Sequence, residues 1–212
     1  MHFLWIWWSV MALNSVINIK LWSIKKNRLA MLYIFTNIYR STFPVLHYNG
    51  ICMFTTCSPI LDRSLATVAE LAFNYQLIMW FNIKEIYKNI SIILIVIAEV
   101  CCWNGLITGN PKWHVIEESI WCSNAILFML RENMLYSIHY NYRYLSRKIL
   151  LSYILYMVIY DIPLYINREE TVKREEVLSC INILHDIDIW KGSLVWMTAY
   201  FTLGSWIAIF IA

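Results

Sequence analysis

Acidic residues placed inside long apolar stretches constrain this chain more than any other feature. Residues 3–21, 64–82, 90–108, 113–130, 149–166 and 194–211 each approach the ~20 apolar residues that a membrane-crossing helix requires. Within or beside these stretches lie Glu70, Glu99, Glu117, Glu118 and Asp161, together with His114. An acidic side chain at mid-helix in hydrocarbon costs roughly 2.5–3.5 kcal/mol on insertion scales. Such groups are expected to face one another, a cavity or a ligand, and not lipid.

Composition agrees with a membrane class. The chain is 60% hydrophobic and 15% charged, with a mean hydropathy of +0.54, where a soluble domain is about 45–50% apolar and about 25% charged. We therefore expect an all-α fold: a polytopic membrane helix bundle of about six transmembrane spans. It should form a single domain over 1–212, integral to a cellular or organellar membrane. Trp5, Trp7 and Trp8 open the first span as an interfacial belt would. The first twenty residues lack a basic start and a small-residue cleavage site, so they read as a retained span and not as a signal peptide. Asn110-Pro111 supplies a helix cap and a first-turn proline ahead of the fourth span.

Two segments stand apart. Residues 22–63 form a partly apolar interfacial segment whose 29–38 portion is too short to span. It reads as a lipid-surface helix, a re-entrant piece or, over 29–45, part of a kinked seventh span. Residues 167–192 form a charged, solvated loop. Lys and Arg are more numerous in the loops after spans one, three and five, which with six spans puts both termini on the non-cytoplasmic side; a seventh span would change that.

Function classes are narrowed by what is missing. The net charge is only +3, and no basic run pairs with an aromatic platform, so no nucleic-acid partner is expected. Cys101, Cys102 and Cys122 fall inside apolar spans as small hydrophobes. Cys52 and Cys57 share one loop, Cys180 has no obvious partner, and no C-x-x-C pair is present. There is no Gly-rich phosphate loop and no Ser-His-Asp spacing.

Chemistry is expected at the intramembrane polar groups. Arg63, Thr67, Glu70 and Asn74 fall within about 60° on one helical face, a polar stripe that must turn inward. It would line a cavity or tie helices together. Glu99 lies near the middle of its span with Trp103 one turn later. His114, Glu118 and Trp121 share a face of the fourth span, and Glu117 lies about 60° from His114. A His and carboxylates three or four residues apart can ligate one metal or relay a proton, so His114, Glu117 and Glu118 form a candidate set for a divalent metal ion. Glu70, Glu99, Glu118 and His114 are the candidate catalytic groups. Arg63, Asn74, Trp103, Trp121 and Asp161 are candidate substrate-binding groups, Asp161 standing beside the helix-breaking Pro163. His185-Asp186-Ile187-Asp188 is more readily a solvated charge cluster than a metal site. Trp196, Thr198, Tyr200, Thr202, Ser205 and Trp206 offer a lining for a flat or isoprenoid ligand, or packing.

In the runs Arg63-Ser64-Leu65-Ala66-Thr67-Val68-Ala69-Glu70, Ile116-Glu117-Glu118-Ser119-Ile120-Trp121 and Trp196-Met197-Thr198-Ala199-Tyr200-Phe201 the chain resembles a group of uncharacterised multi-pass integral membrane proteins. That resemblance implies a multi-pass helical fold and no activity. Three readings stay open: a membrane enzyme acting on a lipid-soluble substrate, a small proton- or cation-coupled transporter or channel protomer, and a structural subunit of a larger membrane complex. Beyond the lipid bilayer, partners would be other membrane proteins or further copies of the chain.

Overall fold

Helix ends are set by local signals that the backbone obeys. After Lys25 the chain turns through Lys26, at a left-handed φ of 55°, into Asn27. The Asn27 side chain accepts the Leu29 and Ala30 N–H groups at 2.8 and 3.1 Å, satisfying two otherwise orphaned donors. At the reversal after α4 Gly109 adopts φ 69°, and Asn110 Oδ1 accepts the Lys112 N–H at 2.9 Å beside Pro111.

The computed structural model describes residues 3–45, 58–131, 140–167 and 194–212. Among these the fold is all-α: α1 (Phe3–Lys25), α2 (Arg28–Thr42), α3 (Pro59–Phe81), α4 (Glu85–Thr108), α5 (Lys112–Arg131), α6 and α7. Helix α6 runs through Tyr140–Tyr156, widens to a π turn at Met157–Asp161 and ends in Ile162–Ile166. Helix α7 (Leu194–Phe210) contains a π turn at Ala199–Gly204. Cys52, Cys57, Cys180, the His185–Asp188 cluster and nearly all of the charged segment 167–192 lie outside the described residues. By length and composition α4 and the Leu145–Ile166 part of α6 can cross a membrane.

The helices group into two units. The first comprises α1, α2, α3 as far as Gln76, and α7. Helix α2 is antiparallel to α1: Trp7 and Trp8 near the start of α1 donate to the Ser41 and Thr42 carbonyls at the end of α2, at 2.7 and 2.9 Å. Helix α2 also runs against α7, with Asn37 bonded to Ser205 and Ile34 packed on Ile209. Gly204 has no side chain where the Tyr33 hydroxyl comes against α7. The 29–38 portion is thus the core of a 15-residue helix that buries Ala30, Tyr33, Ile34, Asn37 and Arg40. Helix α3 runs parallel to α7, because Glu70 meets Tyr200 while Gln76, further along, donates to the Ala208 carbonyl at 2.6 Å. Helix α1 is parallel to α7 as well: Trp7 packs on Phe201, and Lys25 reaches the Phe210 carbonyl at 2.9 Å. Three helices of this unit therefore run one way and α2 runs the other.

The second unit comprises the end of α3 with α4, α5 and α6. Successive helices are antiparallel. The end of α4 meets the start of α5 at Gly105 and His114. Phe128 near the end of α5 clusters with Leu150 early in α6, while His114 at the start of α5 stacks on Tyr165 at the end of α6. Ile95, Ala98, Trp121, Cys122 and Met157 form the core between the three.

Arg40, only 2% exposed, grips both oxygens of Asp62 at 2.9 and 3.2 Å and joins the end of α2 to the start of α3. Removing one member of a buried pair strands the other charge. Asp62→Ala should cost ~3–5 kcal/mol, whereas Arg40→Met combined with Asp62→Leu should restore most of that loss. Thermal unfolding of the three proteins in detergent checks this.

Candidate functional site

In the first unit the polar stripe on α3 is buried, and its charges are neutralised within the unit. Arg63, Glu70 and Asn74 are all buried. Arg63 Nη2 lies 2.9 Å from Glu70 Oε2, and the Tyr200 hydroxyl donates to Glu70 Oε1 at 2.8 Å. The Arg40 guanidinium lies over the Tyr200 and Phe201 rings, at 4.8 and 5.5 Å from their centroids. Two cations and two carboxylates are thereby matched between α2, α3 and α7. Glu70, expected as a catalytic acid, is paired with Arg63 along α3 and accepts from the Tyr200 phenol, which ties α3 to α7.

The second unit gathers the other expected groups. On α5, His114 and Glu117 are one turn apart, and Nδ1 lies 2.8 Å from Glu117 Oε2. Both side chains are buried. Cys102, seven residues before the Gly109 turn on α4, comes to 3.8 Å from the same Nδ1. The three ligand atoms lie within 4.8 Å of one another. Sequence reasoning placed Glu118 beside His114 and Glu117 as a metal ligand; the cluster instead contains Cys102, and Glu118 is half-buried outside it. The physical reason is helical phase. Glu117, at i+3 from His114, carries its carboxylate back over the ring, on the side that α4 covers.

The imidazole is held on both faces. A Cβ built on Gly105 would come within 2.6 Å of His114 Nε2, so only glycine lets the ring lie against α4. Tyr165 stacks on the ring at 5.0 Å with 29° between planes. Asp161 on α6 is buried, hydrogen-bonded with Tyr156 and within electrostatic reach of Glu117 and His114. Tyr156 and Asp161 are five residues apart, and the π turn, with the Ile162 N–H on the Met157 carbonyl, brings them onto one face. Glu118 also acts electrostatically on Tyr156. Glu99 is buried one turn before Cys102 on α4, Trp103 is half-buried, and Trp121 belongs to the core between α4, α5 and α6.

Chemically, the arrangement resembles a ligand set more than a nucleophile relay. In a Cys-His-acid relay the thiol and the acid occupy opposite ring nitrogens, so that the acid orients the ring while the other nitrogen takes the proton. Here both converge on Nδ1. Comparison with protein-family models, with curated proteins and with solved structures gives no match to this chain.

The close approach of the ring to α4 yields a direct check. Gly105→Ala should push His114 off α4 and lower stability by ~1–3 kcal/mol. Val100→Ala, at an exposed position on the same helix, should stay within about 0.5 kcal/mol. Paired melting curves in detergent measure the difference.

Proposed function

We propose that this chain is a seven-pass integral membrane enzyme that performs acid–base chemistry on a lipid-soluble substrate at the His114 centre, with the first unit as its scaffold. The observation that carries the membrane part is inverted polarity. Between Ile90 and Ile107 the exposed positions of α4 are Ile90, Ile92, Ile93, Val96, Ile97, Val100 and Ile107, while Ser91 and Glu99 face inward. The same holds elsewhere: Leu13, Val16, Leu71, Leu151 and Ile159 are exposed, and Arg40, Asp62, Glu70, His114 and Asp161 are buried. Water favours the reverse distribution, because charged residues are almost never fully buried unless paired and large apolar faces associate. Hydrocarbon favours this one.

Helix direction supports seven crossings over six. If α2 did not cross, α1 and α3 would traverse the membrane in opposite senses. They run the same way, with α2 reversed between them. Three further crossings by α4, α5 and α6 return the chain to the side from which α7 must start to lie parallel to α3. This reading changes the charge count across the membrane. Arg40 and Arg63 are neutralised by buried partners and drop out. Among the described residues Lys25, Lys26, Arg28, Lys84, Lys88, Arg131, Arg147 and Lys148 then share one side, and Lys112 lies on the other. The richer side is cytoplasmic. The N-terminus stays outside, as a six-span reading also has it, but the C-terminus moves to the cytoplasm.

Within the centre, Glu118 and Asp161 are assigned as the acid and base, and His114 with Glu117 as the group that polarises the substrate. A substrate arriving laterally meets a largely apolar outer surface, with Ile93, Val96, Ile97 and Val100 on α4 and Leu151, Leu155, Val158 and Ile159 on α6 exposed, which selects for lipid solubility. Glu70 has no part in the chemistry on this reading.

Three measurements test the proposal. Protein expressed in membranes should resist alkaline carbonate extraction, and impermeant reporters fused at the two termini should label on opposite sides. Labelling on the same side would restore six crossings. Lipid extracts from cells expressing the wild type should differ by at least one species from extracts of cells expressing Asp161→Asn at equal abundance. Identical extracts would remove the enzymatic reading.

A further inference from the structure

We infer that Cys102, His114 and Glu117 bind a divalent zinc-type cation, which makes the His114 centre a metal site; this deepens the enzymatic reading above and rests on it for the role of the metal, though not for its binding. Three features favour the cation. The first is donor type: a thiol, an imidazole and a carboxylate are the sulfur, nitrogen and oxygen ligands that zinc takes, and three protein ligands with one open position is the arrangement of catalytic zinc.

The second is geometry. With Zn–S of about 2.3 Å and Zn–N of about 2.0 Å, tetrahedral coordination separates the sulfur and the nitrogen by about 3.5 Å. Sγ of Cys102 and Nδ1 of His114 are already 3.8 Å apart. The shorter 2.8 Å separation between Nδ1 and Glu117 Oε2 is a hydrogen bond. A cation would replace the proton on that nitrogen, and the carboxylate would retreat by about half an ångström, within reach of one χ adjustment. The ring itself has no need to move, since Gly105 and Tyr165 hold it with Nδ1 towards the other two ligands.

The third is charge. A divalent ion with one thiolate, one carboxylate and a neutral imidazole sums to zero, which is the only net charge that a site buried among apolar helices holds cheaply. Metal binding to such a set requires the thiolate, so the cation and the deprotonated Cys102 stabilise each other. The open position then faces whatever the centre polarises, a water or the polar group of the substrate.

The full chain, purified in detergent without chelator, should carry about one zinc per chain by elemental analysis. After chelation, Co²⁺ should give a thiolate-to-cobalt charge-transfer band in the near ultraviolet and tetrahedral visible bands. Cys102→Ser should abolish the charge-transfer band, and Glu117→Gln should lower zinc retention, both with unchanged helical circular dichroism. Cys122→Ser, at a cysteine in the same unit outside the cluster, should change neither. Absence of bound zinc and of a charge-transfer band in the wild type would overturn the inference, as would a band that survives Cys102→Ser. Carbonate extraction and terminus labelling on the same preparation report separately on the membrane reading. The lipid comparison with Asp161→Asn reports on the enzymatic one, so a failure of the metal is distinguishable from either.

Discussion

An apolar interior solvates neither charges nor unpaired backbone groups, and the arrangement of the described helices follows from that restriction. Arg40, Asp62, Arg63 and Glu70 are all below a tenth exposed, and each is set against an opposite charge. The pairs fall where helices must be registered: Arg40–Asp62 joins the end of α2 to the start of α3, and Glu70 joins α3 to Tyr200 of α7. Buried ion pairs contribute little net stability against apolar residues of the same volume, because desolvation offsets the attraction. Their effect here is on specificity. An α2 slipped by one turn would leave Arg40 and Asp62 buried and unmatched, so slipped registers are penalised far more strongly than the native one is favoured. Fixing the registers of a short helix between three parallel ones is a task that Leu and Ile, which pack in many ways, do poorly.

Backbone satisfaction follows the same logic. The π turn in α7 directs the Ser205 N–H to the Thr202 carbonyl, and the Phe201 carbonyl accepts from Asn14 Nδ2 at 3.0 Å. Asn14 is in turn held by Trp206 Nε1 at 2.9 Å, so one amide closes a loop between α1 and α7. Gln76 serves the Ala208 carbonyl in the same way. In α6 the π turn precedes Pro163, which has no N–H to offer the preceding turn, and the widened helix brings Tyr156 and Asp161 together. Irregular helix in both units therefore coincides with polar side chains from a neighbouring or adjacent turn, and the π turn of α6 lies on the His114 centre.

Much of the helix pattern was legible in the sequence because apolar runs and capping residues are local signals. The fourth span begins at Asn110-Pro111 as its composition requires, and the inward stripe of Arg63, Glu70 and Asn74 follows from 100° per residue alone. What neighbours the stripe was not legible. Tyr200 lies 130 residues from Glu70, and no local signal joins them. Arg40 and Arg63 read as loop cations in a one-dimensional count, yet both are interior. Cys102 read as a small hydrophobe, although a hairpin folded about Gly109 and Pro111 sets Gly105, four residues before Gly109, against His114, three after Pro111, and Cys102 lies one turn before Gly105 on α4. Pairing across a tight helical turn, like pairing across a β-hairpin, follows from counting outwards from the turn.

The same polar faces explain why, by length and composition, only α4 and the Leu145–Ile166 part of α6 among the described residues are apolar enough to cross a membrane. Helices α1, α3 and α5 have 23, 23 and 20 residues, enough to reach across a hydrocarbon core of about 30 Å at 1.5 Å per residue. Their composition is diluted by Asn14 and Asn18, by Asp62, Arg63, Glu70, Asn74 and Gln76, and by His114, Glu117 and Asn124, every one of which is buried. A window average weighs these side chains as though lipid touched them. On the membrane reading proposed above, lipid would touch instead Leu13, Val16 and Ile17 on α1, Val68, Leu71 and Met79 on α3, and Ile116, Ile126 and Leu130 on α5, all of them exposed. The free energy of insertion depends on the outward face together with the residual cost of paired polar groups, not on the mean of both faces. A chain that builds an ion-paired scaffold in one unit and a Cys–His–Glu cluster in another must dilute its own hydropathy, and α2, the shortest and most polar-cored helix of the first unit, does so most because three other helices surround it.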